Sequence, residues 1–345
     1  MRSANHSRLL LCSLAVTFAA CGGEAGQPTT PSDHLPTTPG IQLAAGGGNC
    51  GIGNTHPSGS IIDSVPTPPS YGIAVREDGL AYFTEPDFGG IGITNTKTRT
   101  VTGFIATGSV PTGVAFSPDG NTAYVANQGD QTVSIIDATT SAVVGSIFTP
   151  DGSPLVVEVS PDGTQLFVAT ASTTVEIVDV ASRQVVRTAQ VGFLPNAFTT
   201  APDGRIMYVS AAFGGSVSEI DMFTGEVLRT FDVGGVPQGM AVTKDGKRLY
   251  VGNESGFLTE ITLLQGTVTA TIPLVGGAFG VGVTPDGVQA FVGIPSAGVV
   301  QVFNLQSHHL AQTINVHGNP RRIGFSQLGH IGAVANLAGY VTFVR

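Results

Sequence analysis

Hydrophobic and polar positions along most of this chain alternate in runs of about six residues, broken by Gly, Asp, Asn and Ser. Residues Pro111 to Thr149 show the unit: Gly113-Val114-Ala115-Phe116, then Ala123-Tyr124-Val125-Ala126, then Val133-Ser134-Ile135-Ile136, then Val143-Val144-Gly145-Ser146-Ile147. Period-two alternation over such short runs predicts strands, and the Asp-Gly pair between the first two predicts a tight hairpin. The unit then repeats. Asp-Gly recurs at Asp78, Asp119, Asp162, Asp203, Asp245 and Asp286, with Leu328-Gly329 as a degenerate seventh copy, at steps of 41, 43, 41, 42, 41 and 42 residues. A second ruler, the polar residue closing the third strand (Asn95, Asp137, Asp179, Asp221, Thr262, Asn304), advances by 42, 42, 42, 41 and 42. Two rulers that agree within a residue, with only strands inside the period, indicate an all-β, seven-bladed β-propeller of four-stranded blades.

The ends of the array predict how it closes. The seventh copy holds Ile323-Gly324-Phe325, Ala333-Val334-Ala335 and Val341-Thr342-Phe343-Val344 and has no fourth strand. Upstream of the first blade, Ser60-Ile61-Ile62-Asp63-Ser64-Val65 has the pattern of a fourth strand without a blade of its own. It is expected to pair with Val341–Val344 and so remove two exposed sheet edges. Most blades begin near a proline: Pro69, Pro111, Pro154, Pro195, Pro237 and Pro320, with Ala278 in that place once.

The pattern changes before residue 58. Residues 1–20 carry Arg2 and Arg8, an apolar run from Leu9 to Val16 and small residues at the exit, the layout of a signal peptide whose core is too short to span a bilayer. Phe18-Ala19-Ala20-Cys21-Gly22 resembles the lipobox of bacterial lipoproteins, with Phe18 where Leu is usual; that resemblance makes Cys21 the lipidated first residue of the mature chain. Residues 21–57, rich in Gly, Pro and Thr, are expected to be a lipid-anchored flexible tether, and 58–345 the propeller. Gly22 after the cysteine resembles an outer-membrane sorting signal. With Cys12 removed and Cys21 acylated, Cys50 has no disulfide partner.

Composition narrows the function classes. Net charge is -9, and removing Arg2 and Arg8 takes it to -11, which argues against nucleic acid and against adhesion to anionic lipid headgroups. Membrane attachment is therefore expected through the lipid alone, on a monomer.

Tyr124-Val125-Ala126-Asn127 and Tyr250-Val251-Gly252-Asn253, set in Pro-x-Gly-x-Ala-x-Ser/Thr-x-Asp-Gly, resemble the YVTN-type repeat of bacterial and archaeal surface-layer and periplasmic propellers, part of the WD40/YVTN repeat-like superfamily. The resemblance covers residues 59–345 and implies the fold. Propellers host binding modules and enzymes alike, so it implies little chemistry. In blade 1, Gly72-Ile73 and Asp78-Gly79-Leu80-Ala81-Tyr82-Phe83-Thr84-Glu85 are similar to the repeat of virginiamycin B lyases, with Tyr82 where those have Trp. Those enzymes use a metal held by His and Glu on neighbouring blades, and no matching His positions occur here.

Candidate ligand residues are those that depart from the repeat or sit on its loop face. Arg322 occupies the slot that Gly113 and Gly239 fill, and Glu158 interrupts the apolar inner strand of its blade. Arg322 is a candidate anion contact and Glu158 a candidate base or cation ligand, against the plainer alternative of a salt bridge or solvated channel residues. Glu85, Asn127 and Asn253 lie at the exits of second strands, where Asn commonly makes turns. His317 sits in the loop entering the last blade. No catalytic residue, metal ligand or cofactor is assigned; Ca²⁺ or Mg²⁺ on the oxygen-rich loops is the alternative. The expected function is an envelope-anchored module that binds or scaffolds protein, peptide or surface-glycan partners. The rival is a metal-dependent lyase or lactonase acting on a small lactone in the central channel.

Overall fold

The computed structural model describes residues 60–325 and 331–344. The leader, Cys21, Cys50, Leu328-Gly329 and His330 lie outside the described residues. Within them are seven antiparallel sheets of four strands, each a simple meander except the last. Blades 1 to 6 cover residues 73–106, 111–148, 154–190, 195–232, 237–273 and 281–315. Blade 7 takes three strands from residues 320–344 and its outer strand from Ile61–Pro66. The register of that closure is Ile61 opposite Val344, Asp63 opposite Phe343, Ser64 opposite Thr342 and Val65 opposite Val341. This is the clasp the sequence pattern predicts. One short 3₁₀ turn, Pro295–Ala297, is the only helical element described, and no described helix is long and apolar enough to cross a membrane.

Each ruler of the repeat has a physical cause. In the hairpin, the Asp side chain accepts the N–H two residues on: Asp78 from Leu80, Asp119 from Asn121, Asp162 from Thr164, Asp203 from Arg205, Asp245 from Lys247 and Asp286 from Val288, all at 3.0–3.1 Å. The Gly that follows sits at positive φ, from 67° to 95°, where only Gly is unstrained. At the end of the third strand, Asp137, Asp179, Asp221 and Asn304 accept N–H groups two or three residues on and so start the turn into the outer strand.

The strands that open with Pro111, Pro154, Pro195, Pro237 and Pro320 are six residues long. Counting back one repeat from Pro111 by the hairpin step of 41 gives Ser70, not Pro69. In blade 1 (Ser70) and blade 6 (Ala278), the two without proline at this position, the inner strands shrink to Ile73–Val75 and Val281–Val283. Backbone bonds continue the pairing at those two openings all the same: Tyr71 donates to the Thr84 carbonyl and Thr84 to the Gly72 carbonyl, and Phe279 donates to the Gly293 carbonyl and Gly293 to the Gly280 carbonyl.

Among the described residues the core is divided into seven clusters, each lying between adjacent blades, including one that joins blade 7 to blade 1 through Phe83, Val341 and Phe343. A buried aromatic of the second strand recurs in six blades: Tyr82, Tyr124, Phe167, Tyr208, Tyr250 and Phe291. Blade 7 has Ala333 in that place, and its cross-strand partner is Phe343, which restores the ring from the other side of the pair.

Around the centre the inner strands press on one another. The Gly239 N–H donates to the Phe279 carbonyl at 2.7 Å, a backbone bond from blade 5 to blade 6. A Cβ on Gly239 would stand 2.5 Å from that same oxygen and 2.8 Å from the Val281 nitrogen. Backbone cannot step aside as a side-chain tip can. Gly239→Ala is therefore expected to cost about 2 kcal/mol, whereas Gly103→Ala in an outer strand, whose Cβ would meet only the Ile93 methyl at 3.4 Å, should be nearly neutral. Urea melts of both variants check this; equal midpoints would refute the close-packed ring.

Candidate functional site

Applying the hairpin steps to the residue after the blade-opening position gives one side chain per blade at the loop-face end of the inner strands: Tyr71, Thr112, Leu155, Asn196, Gln238, Phe279 and Arg321. The next position holds Gly72, Gly113, Val156, Ala197, Gly239, Gly280 and Arg322. Small residues fill that second set because the neighbouring inner strand leaves no room for a Cβ at Gly113, Gly239 or Gly280. Blade 7 alone places two long cations there.

Arg322 reaches from blade 7 to blade 4, three repeats away. Its Nη2 donates to the Asn196 carbonyl and, at 3.2 Å, to Asn196 Oδ1. Asn196 Nδ2 donates to Gln238 Oε1, and Gln238 Nε2 donates to Glu254 Oε1 at 3.0 Å. A polar chain thus crosses the channel mouth from Arg322 to the rim at Glu254, through two buried amides. Burial disfavours the charged form of Arg322, as it does that of Arg321. Neither guanidinium forms a salt bridge among the described residues.

The Arg321 guanidinium lies 4.4 Å from the centroid of Phe279 and 5.7 Å from that of Tyr71. Arg322 lies 5.1 Å from Phe279. The two rings come from blades 6 and 1, flank blade 7 and meet edge to face at 5.5 Å. Cations over aromatic faces are stabilised by the ring quadrupole. Burial pushes the Tyr71 hydroxyl up, against the pull of both arginines.

Glu158 occupies the inner strand of blade 3, two positions below Val156, the blade-3 equivalent of Arg322. Its carboxylate has no hydrogen-bond or ion-pair partner among the described residues, and burial pushes it up to about 7. Neither Arg322 nor Glu158 is in the salt bridge weighed as the plainer reading.

The loop candidates divide. Asn253 accepts N–H groups from Val236 and Ser255 and donates to the Gly234 carbonyl, fastening the loop that enters its own blade. Asn336 does the same in blade 7. Asn127 is turned the other way and donates to Thr132 and Ser134, leaving its Oδ1 buried without a partner, while Asp130 takes the Ser109 N–H of that loop. Glu85 stands in the same slot in blade 1, 4% exposed, and burial raises its pKa. Its side chain enters the space left by Gly92, where a Cβ would come within 2.5 Å of Glu85 Oε1. In blade 3 the position matching Gly92 holds Glu176, whose Oε1 accepts the Asp151 N–H at 2.7 Å. His317 is exposed at φ 56° in the entry loop of blade 7, and its carbonyl accepts from Asn336. None of these four side chains contacts Arg322. Away from the channel, the His308 ring meets Glu260 at 2.6 Å, and Tyr250 donates to the same carboxylate. Among the described residues no three His, Cys, Asp or Glu side chains converge as a metal ion requires.

The residues sequence reasoning missed are Arg321, Tyr71, Phe279, Asn196 and Gln238. The available signal was the hairpin step applied as a column, which places all five in one ring.

Residues 122–202 match the family model described as YNCE-like beta-propeller. Among solved structures the chain is similar to hydrazine synthase of Kuenenia stuttgartiensis, with a TM-score of 0.74 and 21% identity over 81% of this chain and 96% of that one. At that identity the likeness concerns the fold. No curated protein matches the chain by sequence. A β-propeller of this kind suggests a binding or scaffold module.

Proposed function

We propose that this seven-bladed propeller is a non-catalytic binding or scaffolding module, held in the cell envelope through Cys21 and acting as a monomer. Protein, peptide or surface-glycan partners meet it on the loop face. The observation that supports this reading is the chain from Arg322 through Asn196 and Gln238 to Glu254. It bars the channel mouth with fixed polar groups, so a ligand is met at the rim and not engulfed.

One observation favours the rival. Glu158, unpartnered and pushed up to about 7, is matched to general acid–base work at neutral pH, as a lyase or lactonase would need. The melting temperature of the full chain separates the two. Chelator should leave it unchanged, and Ca²⁺, Mg²⁺ or Mn²⁺ should not raise it; an ion at a hundred times its dissociation constant would add about 2.7 kcal/mol. An ion-dependent melt, together with lactone or streptogramin turnover that Glu158→Gln abolishes, would replace the binding reading with the enzymatic one.

A further inference from the structure

The Arg321 guanidinium makes no hydrogen bond to any described residue, and its Nε is buried without a partner. Arginine carries five N–H donors in a planar fork, and burying even one donor unmatched costs on the order of 1–3 kcal/mol. Side chains that serve only structure avoid that cost, as Arg229 does by donating to Glu219 and to the Leu263 carbonyl. Arg321 instead lies half-buried over the Phe279 ring at 4.4 Å, beside a second cation, Arg322, 5.1 Å from the same ring. The chain as a whole carries a net charge of -9, so this is a positive point on an acidic protein.

We propose that the loop-face mouth between blades 6, 7 and 1 is a carboxylate-binding site. Arg321 supplies the charge and the donor fork, Arg322 is held beside it by Asn196, the buried Phe279 backs both guanidiniums, and the half-buried Tyr71 is the aromatic surface left for the body that bears the carboxylate. The proposal rests on the binding reading above and names its ligand chemistry. Charge favours an anion: two guanidiniums stand against one carboxyl at the rim, Glu254, whose charged form burial disfavours and Arg321 favours. Geometry agrees, because the planar guanidinium pairs with a planar carboxylate through two parallel bonds. The Tyr71 ring favours a carboxylate on a flat or apolar body over a small hydrophilic one.

The test is calorimetric titration of the full chain with benzoate, acetate and inorganic phosphate. Benzoate should bind saturably and more tightly than acetate, and phosphate least. Arg321→Gln should weaken benzoate at least tenfold. Glu254→Gln should tighten it about threefold or more, a gain no folding defect can produce. Lys97→Gln, an exposed charge in a distant turn, should change nothing. Absence of saturable benzoate binding, or unchanged affinity in both Arg321→Gln and Glu254→Gln, would overturn the site; preference for phosphate would overturn its carboxylate assignment. Failure here with an ion-independent melt leaves the broader binding reading in place. Anion binding that persists beside an ion-dependent melt and turnover removes that reading and keeps the site.

Discussion

Deleting Ile61–Pro66 from the full chain is expected to lower the melting temperature by about 10 °C or more. The strand forms the whole outer edge of blade 7. Its loss strips the ladder from Val341 to Val344, removes Ile62 and Val65 from the cluster that joins blades 7 and 1, and breaks the ion pair from Asp63 to Arg99 in blade 1 at 3.2 Å. That is several kcal/mol together, and each kcal/mol moves the midpoint of a protein of this size by roughly 2–4 °C. The bared strand also becomes a template for pairing with other chains. A melt within about 2 °C of the parent, with no rise in aggregation, would show that the ring holds without its clasp.

Glu176→Gln is expected to stabilise the protein at pH 8 and to leave it nearly unchanged at pH 5, apart from an offset common to both. Glu176 is fully buried; its Oε1 accepts the Asp151 N–H at 2.7 Å, while Oε2 has no partner. Burial pushes this carboxyl from 4.5 up to about 7. The folded state therefore holds the proton more tightly than the unfolded one. The stability this group contributes is present in full below about 4.5 and is lost as pH rises to about 7. A shift of that size corresponds to the order of 3 kcal/mol, or about 5 °C or more in the difference between variant and parent across the window. Glutamine keeps the acceptor for Asp151 and does not titrate. A difference that is equal at pH 5 and pH 8 would show that Glu176 is ionised, and paired, in the folded protein.

Blade number, strand order and closure were legible because each depends on a local signal repeated many times. A hairpin Asp must accept the N–H two residues on, and its Gly must take positive φ, so the spacing shows in the residue types. Arg322 was legible for the same reason in reverse: it breaks a column of Gly, Ala and one Val, small where the neighbouring backbone comes close. Arg321 was not, because its column, from Tyr71 to Phe279, has no common residue type to depart from. Nor could the chain show that Arg322 would find Asn196, since that bond depends on the diameter of the ring and not on any spacing. Glu176 was obscure for another reason: it stands on a third strand where blade 1 has Gly92, and a repeat read one strand at a time does not set it beside Glu85 of a second strand. Ala333 and Phe343 trade an aromatic ring in the same way.

The clasp also imposes an order of events. Ser64 and Thr342, whose hydroxyls meet at 3.2 Å, stand 278 positions apart, whereas every other blade pairs strands that follow one another directly. Six meanders can form as the chain leaves the ribosome, but the seventh blade waits until Tyr340–Val344 has been made. Until then the first strand has no partner and the arc has two open ends. Among the described strands the longest loop closure is thus also the last of the seven blades to become possible, and the interval between synthesis of blade 1 and ring closure leaves the arc open to pairing with its neighbours.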